Sequence, residues 1–193
     1  LKIRMGIIFF RKKKTSLWKD VLIGLIAGWI GTLAMDLFQR WFSALITGSE
    51  AAQAGEAAGK QPLDSIAVAG EHHREDESST AALGRIAYTE TTGEEPNKAT
   101  KSMLSYLVHW LYGTLQGSLY SIAGKRLNLP DWVSGPLFGT GLWLLGDELV
   151  VPMLGLQKGP TAYSWRTHLN RLAMHLVYGT VTAFSAKLLH RFV

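Results

Sequence analysis

The chain has 193 residues, of which 47% are apolar and 18% charged, and its formal charge is +5. It contains no cysteine, which excludes disulfides, zinc-thiolate sites and thiol catalysis. Nucleic acid is excluded as a partner on charge placement, because the basic residues gather beside the ends of apolar segments instead of along one binding face.

Four apolar windows stand out: Val21 to Phe38, Met103 to Ala123, Val133 to Val151 and Leu169 to Leu189. Each approaches the ~20 residues that carry a helix across a hydrocarbon core of ~30 Å. They are apolar nearly all round, whereas the helices of a soluble bundle keep a polar outward face. The expected fold class is all-α: a four-transmembrane-helix bundle made of two parallel helix-hairpin repeats, with an acidic extracytoplasmic connection.

In chain order, residues 1–20 form a basic N-terminus containing Lys2, Arg4, Arg11, Lys12, Lys13, Lys14 and Lys19. A basic run before an apolar segment also fits a secretory signal, with Ala52-Gln53-Ala54 as a cleavage site. The segment is long, carries Asp36 and belongs to a repeat, so a retained anchor is expected. Transmembrane helix 1 is expected over 21–46, and the acidic loop over 47–102. In that loop Gly48 to Ser79 is rich in Ala, Gly, Glu and Ser and reads as mobile. From Thr80 onward, Leu83, Ile86, Ala87 and Tyr88 outline a short amphipathic helix on the membrane surface.

Transmembrane helix 2 is expected over 103–123, with Lys125 and Arg126 in the turn that follows. Helix 3 covers 133–151 with Pro136 in its first turn, where proline is tolerated. Residues 152–168 read as an ordered outer loop containing Gly155, Gly159, Pro160, Tyr163 and Trp165, and 169–193 as helix 4 with a basic C-terminus. By the positive-inside rule the three basic regions are cytoplasmic and the acidic loop is outside.

The windows contain a repeat. Gly24, Gly28 and Asp36 recur with the same spacing as Gly135, Gly139 and Asp147, and His-x-x-Tyr-Gly-Thr occurs at His109 to Thr114 and again at His175 to Thr180. Two helices per copy give both copies the same membrane orientation, related by an axis along the membrane normal. Counted at about 1.5 Å per residue from opposite faces, Asp36, Asp147, His109 and His175 fall at nearly one level in the outer half. Gly24, Gly28, Gly113, Gly117, Gly135, Gly139 and Gly179 form small-residue stripes that let helix backbones approach closely.

Ionisable groups inside a bilayer are costly unless paired or used. Asp36, His109, Asp147, Glu148 and His175 are therefore the candidate intramembrane polar cluster. One reading is a structural clamp of carboxylate and imidazole across helices. A second is proton or ion handling, since a desolvated Asp beside a His brings two titrating groups together. A third makes His109 and His175 axial ligands of a haem or chlorophyll-type ring. A divalent-metal site from Asp147, Glu148, His168 and His175 is a further alternative. His72 and His73, beside Arg74-Glu75-Asp76-Glu77, read as a solvated loop, and Arg171 as a partner of Glu148 or of lipid headgroups. No phosphate loop, nucleophile elbow or hydrolase carboxylate pair is present, so no enzyme is expected.

The segments Gly146-Asp147-Glu148-Leu149-Val150-Val151-Pro152-Met153-Leu154-Gly155-Leu156, Thr167-His168-Leu169 and His175-Leu176-Val177-Tyr178-Gly179, with His109-Trp110-Leu111-Tyr112-Gly113, resemble the YagU-like bacterial inner-membrane family. The resemblance implies a four-helix bacterial plasma-membrane protein and brings no established reaction. Two functions are carried forward. One is a membrane module that binds or conducts protons or small ions through the Asp/His cluster, with the lipid bilayer and further copies of the chain as partners. The other is a non-catalytic accessory subunit of a larger respiratory, photosynthetic or transport complex.

Overall fold

The computed structural model describes residues 16–43, 63–127 and 129–192. Lys2 through Lys14 and Ala52-Gln53-Ala54 lie outside the described residues, as do the side chains of Lys125 and Arg126. The described residues form helices joined by loops, with no strand.

Helix α1 spans Leu17–Phe38 and continues as a π-helical turn over Gln39–Ser43. Helix α2 spans Ser79–Thr92. Ser78 caps it by accepting from the Ala81 amide at 3.2 Å, and Gly93 ends it in the left-handed region at φ 74°, which glycine adopts without a Cβ penalty. Helix α3 spans Lys98–Leu127 and starts at Asn97, whose Oδ1 accepts from the Thr100 amide at 2.9 Å. Helix α4 runs over 131–153 in three parts: α-helical Asp131–Gly141, π-helical Leu142–Val150 and a closing turn Val151–Met153. Helix α5 spans Trp165–Phe192, with Ser164 Oγ accepting from the Thr167 amide.

Across the bundle the order is α3, α1, α5, α4, and α2 lies on α3. Glycine makes two of these crossings possible. Gly24 and Gly28 of α1 meet Gly113 and Gly117 of α3, and a methyl on Gly28 would come within 2.7 Å of the Gly113 carbonyl oxygen. Gly135 and Gly139 of α4 meet the stretch of α5 around Gly179, where a methyl would come within 2.7 Å of the Gly139 nitrogen. No side chain fits at either contact without separating the helices.

Burial follows an unusual polarity. Asp20, Ser118, Ser121, Ser134, Asn170, His175 and Thr182 are buried between helices. The outward faces carry Ile26 and Leu33 on α1, Leu111 and Leu115 on α3, Leu137 and Leu145 on α4, and Leu169 and Leu188 on α5. Two helices, Leu17–Trp41 and Trp165–Phe192, are long and apolar enough to cross a membrane.

Three details differ from the sequence reading. The helices start earlier than the apolar windows, because polar and aromatic residues such as Lys98, Lys101, Trp165 and Arg166 add turns beyond the apolar stretch. Pro136 lies in the second turn of α4, because Pro130 caps that helix by accepting from the Val133 and Ser134 amides at 2.9 Å. Residues 63–78, within the segment read as mobile, are folded onto the loop that follows α4. Ala69 donates to Met153, His72 and His73 both donate from their amides to Gly155, and Gly159 donates to Asp64. Residues 48–62 lie outside the described part.

Candidate functional site

Asp36, in the last α-helical turn of α1, accepts from His109 Nε2 of α3 at 3.0 Å. The Gly28 to Gly113 crossing one and two turns below brings these helices close enough for the bond. The second carboxylate oxygen of Asp36 is buried without a partner. The matching residues of the other hairpin stand in a looser pair, with His175 Nε2 3.7 Å from Asp147 Oδ2. His175 Nδ1–H donates to the Arg171 carbonyl at 2.8 Å, so the ring's orientation is set by its own helix.

Asp147 lies within the π-helical stretch of α4. Within it the Val151 amide donates five residues back, to Gly146. The next bond in that register would run from residue 152 to the Asp147 carbonyl, but Pro152 has no N–H. The Gln157 side-chain amide donates to the Asp147 carbonyl instead. Pro152 is enclosed and the loop turns back directly after it, through Gly155 at φ 68°.

Glu148 does not join the metal-like set. It pairs with His168 at the start of α5, Nδ1 to Oε1 at 2.8 Å, while His168 Nε2–H donates to the Pro160 carbonyl at 3.0 Å. Tyr163 stands edge-on to this imidazole, and the Arg171 guanidinium lies over the Tyr163 ring, 4.2 Å from its centroid. Arg171 thus stacks on an aromatic ring, and His168 is the residue that engages Glu148. Among the described residues no three His, Asp or Glu side chains converge where a metal ion would sit. An axial-ligand role for His109 or His175 would require each Nε2 to leave its carboxylate.

A cap of loop and helix lies over this end of the bundle. His72 and His73 hold it through ring contacts to the Ala69 and Gly155 carbonyls, at 2.9 and 3.3 Å. Its anchor is Glu77, whose carboxylate is fully enclosed between Arg85 at 2.9 Å and Lys101 at 2.6 Å. Arg85 also donates to the His72 carbonyl at 2.6 Å. Burial pushes the Glu77 carboxyl up, but hydrogen bonds and charge from Arg85 and Lys101 outweigh that and hold it at about 2.

Sequence reasoning missed two features. One is the His168 pairing with Glu148, which was weighed only as part of a metal set. The other is a fourth carboxylate–imidazole contact, at the opposite end of the bundle, where His190 Nε2 is 4.0 Å from buried Asp20 and 3.3 Å from Ser121 Oγ. A signal for it existed, since Asp20 heads the same four-residue stripe, Gly24, Gly28, Thr32, that ends at Asp36. No protein-family model, curated protein or solved structure matches this chain.

Proposed function

We propose that the chain crosses a bilayer four times, as two equivalent helix hairpins, and that its outer half binds and passes protons through paired carboxylates and imidazoles. The membrane part is supported by the polarity of the bundle: all four long helices turn leucines outward and polar groups inward. In water that arrangement would expose a large apolar belt, whereas in lipid it matches the solvent. The charge distribution agrees, with Lys19, Lys187 and Arg191 at one end and Glu71, Glu75, Glu77, Glu90 and Glu94 in the segments that follow α1 at the other. On this reading both termini are cytoplasmic, and the likeness to the YagU-like bacterial inner-membrane family belongs to the same proposal.

The observation that carries the proton reading is His168. Both of its ring nitrogens face acceptors at hydrogen-bond distance, the Glu148 carboxylate and the Pro160 carbonyl. A carbonyl only accepts, so Nε2 holds a proton. Nδ1 then meets Glu148 favourably only if a second proton sits between them, on the imidazole or on the carboxyl. His175 is arranged in the same sense but more loosely, with Nδ1–H committed to the Arg171 carbonyl and Nε2 3.7 Å from Asp147, beyond hydrogen-bond distance. The Glu148–His168 pair is a one-proton store with two possible owners, which is the element a relay requires.

Nitrogen NMR of histidine-labelled protein in lipid vesicles tests this. The expected result is a protonated Nε2 in His168 and a protonated Nδ1 in His175, with the carboxylate-facing nitrogen of each exchanging a proton with its partner as pH is raised. A carbonyl-facing nitrogen that carries no proton in either residue rejects the assignment.

A further inference from the structure

The proposed repeat makes two helix contacts equivalent: α1 against α5, and α4 against α3. They are not equally closed. At the first, Gly31 lies against Tyr178 and Thr182, and Ala27 and Ala186 are buried beside them. The residues at matching repeat positions in the second contact are Leu142 for Gly31, Gln116 for Thr182, Phe138 for Ala27 and Tyr120 for Ala186. Each is larger than its counterpart. Helices α3 and α4 meet chiefly through Tyr120, whose ring lies 5.2 Å from that of Phe138 and whose hydroxyl shares a 2.7 Å hydrogen bond with Ser134. Beside that strut the helices stay apart, leaving a cleft of about 440 Å³.

The cleft runs along α3 from Gly124 to Tyr112 and along α4 from Ser134 to Val150. Along α3 that is ~18 Å at helical rise. It is open along one side and its lining is almost wholly apolar, so an extended chain can lie along it. Among the described residues no Lys, Arg, His, Asp or Glu lines it. The hydrogen-bonding groups not used in the strut are Tyr112 and Gln116 toward the outer end, and Gln116 Oε1 is buried without a partner.

We infer that this cleft is the binding site for a single hydrocarbon chain of a membrane amphiphile, with an uncharged hydrogen-bonding head held at Tyr112 and Gln116. The inference rests on the membrane-spanning reading. At the Tyr112 and Gln116 end no cationic side chain among the described residues lines the cleft, which argues against an anionic phosphate head there.

The test uses the full-length protein in native membranes and a fatty alcohol bearing a photoreactive group in its chain. A Cβ at Gly141 meets nothing within 4 Å, so Gly141→Phe fills the cleft without a backbone clash. Labelling is expected on the cleft walls of the parent and should fall at least tenfold in Gly141→Phe, with an unchanged melting temperature. Ala123→Phe, from the opposite wall, should give the same loss and serves if the first variant does not fold. Unchanged labelling in a folded variant overturns the site, and equal wall labelling by a phosphatidylglycerol carrying the same group overturns the uncharged head. The chain has no cysteine, so a single Leu119→Cys reports on copies: a disulfide dimer at that position would make the cleft a subunit interface and overturn the inference. Recovery of the parent in the aqueous fraction without detergent would instead defeat the membrane reading itself.

Discussion

Replacing Glu77 with Gln removes the one negative charge enclosed between Arg85 and Lys101 while keeping the side chain's size. In the folded protein this carboxyl is held at about 2, against 4.5 for a free glutamate. That difference corresponds to ~3 kcal/mol favouring the folded cap at neutral pH, or roughly a hundredfold or more in its opening equilibrium. The sign follows from a folded value below the unfolded one. The contribution is complete above about pH 4.5 and disappears as pH falls toward 2. Amide hydrogen exchange of α2 in detergent, measured from pH 7 down to pH 3, reads this directly once the intrinsic pH dependence of exchange is divided out. In the parent, protection of Ala81 to Tyr88 should fall across that window; in Glu77→Gln it should start lower and stay flat. Equal protection in parent and variant at every pH would refute the account of how the cap is held.

Gly113→Leu and Gly179→Leu should each lower stability by roughly 1–3 kcal/mol or more through helix separation, whereas Leu111→Ala, on an outward face, should cost well under ~1 kcal/mol; thermal melts in detergent distinguish them. Asp147→Asn should keep the fold, while Asp147→Leu strands the His175 nitrogen that faces it and should cost about 1–3 kcal/mol in the same melts. For topology, a reporter at residue 75 should be external and reporters at residues 126 and 193 internal. Protease cutting of residues 125–131 from the periplasmic side would contradict four spans.

The helical class was legible because long apolar windows leave a chain few alternatives, and the glycine stripes because only glycine lets two backbones touch. Asp36 with His109 and Asp147 with His175 were legible as neighbours through repeat spacing and depth counted along a helix. The π-helical register of α4 was not, since hydropathy carries no trace of a switch to five-residue bonds; the one mark left in the sequence is Pro152, five residues after Asp147. Nor was the order of residues 63–78 legible. It comes from backbone bonds to Gly155 and Met153, some eighty residues away in the chain, and from the buried charge of Glu77. Composition describes what a segment contains and is silent on which distant carbonyls it will find. The engagement of His168 was not legible either, because residue types at suitable spacing do not reveal that the Pro160 carbonyl takes one of its nitrogens.

The central claim is that protons move through the carboxylate–imidazole pairs, and its most direct test is proton flux into reconstituted lipid vesicles under an imposed potential, followed with an internal pH dye. The parent protein should acidify the vesicles, and Asp147→Asn, folded to the same melting temperature, should reduce the rate at least tenfold. Vesicles that stay impermeable with the parent protein, or a rate unchanged by Asp147→Asn, would contradict the claim and leave the pairs as clamps between helices.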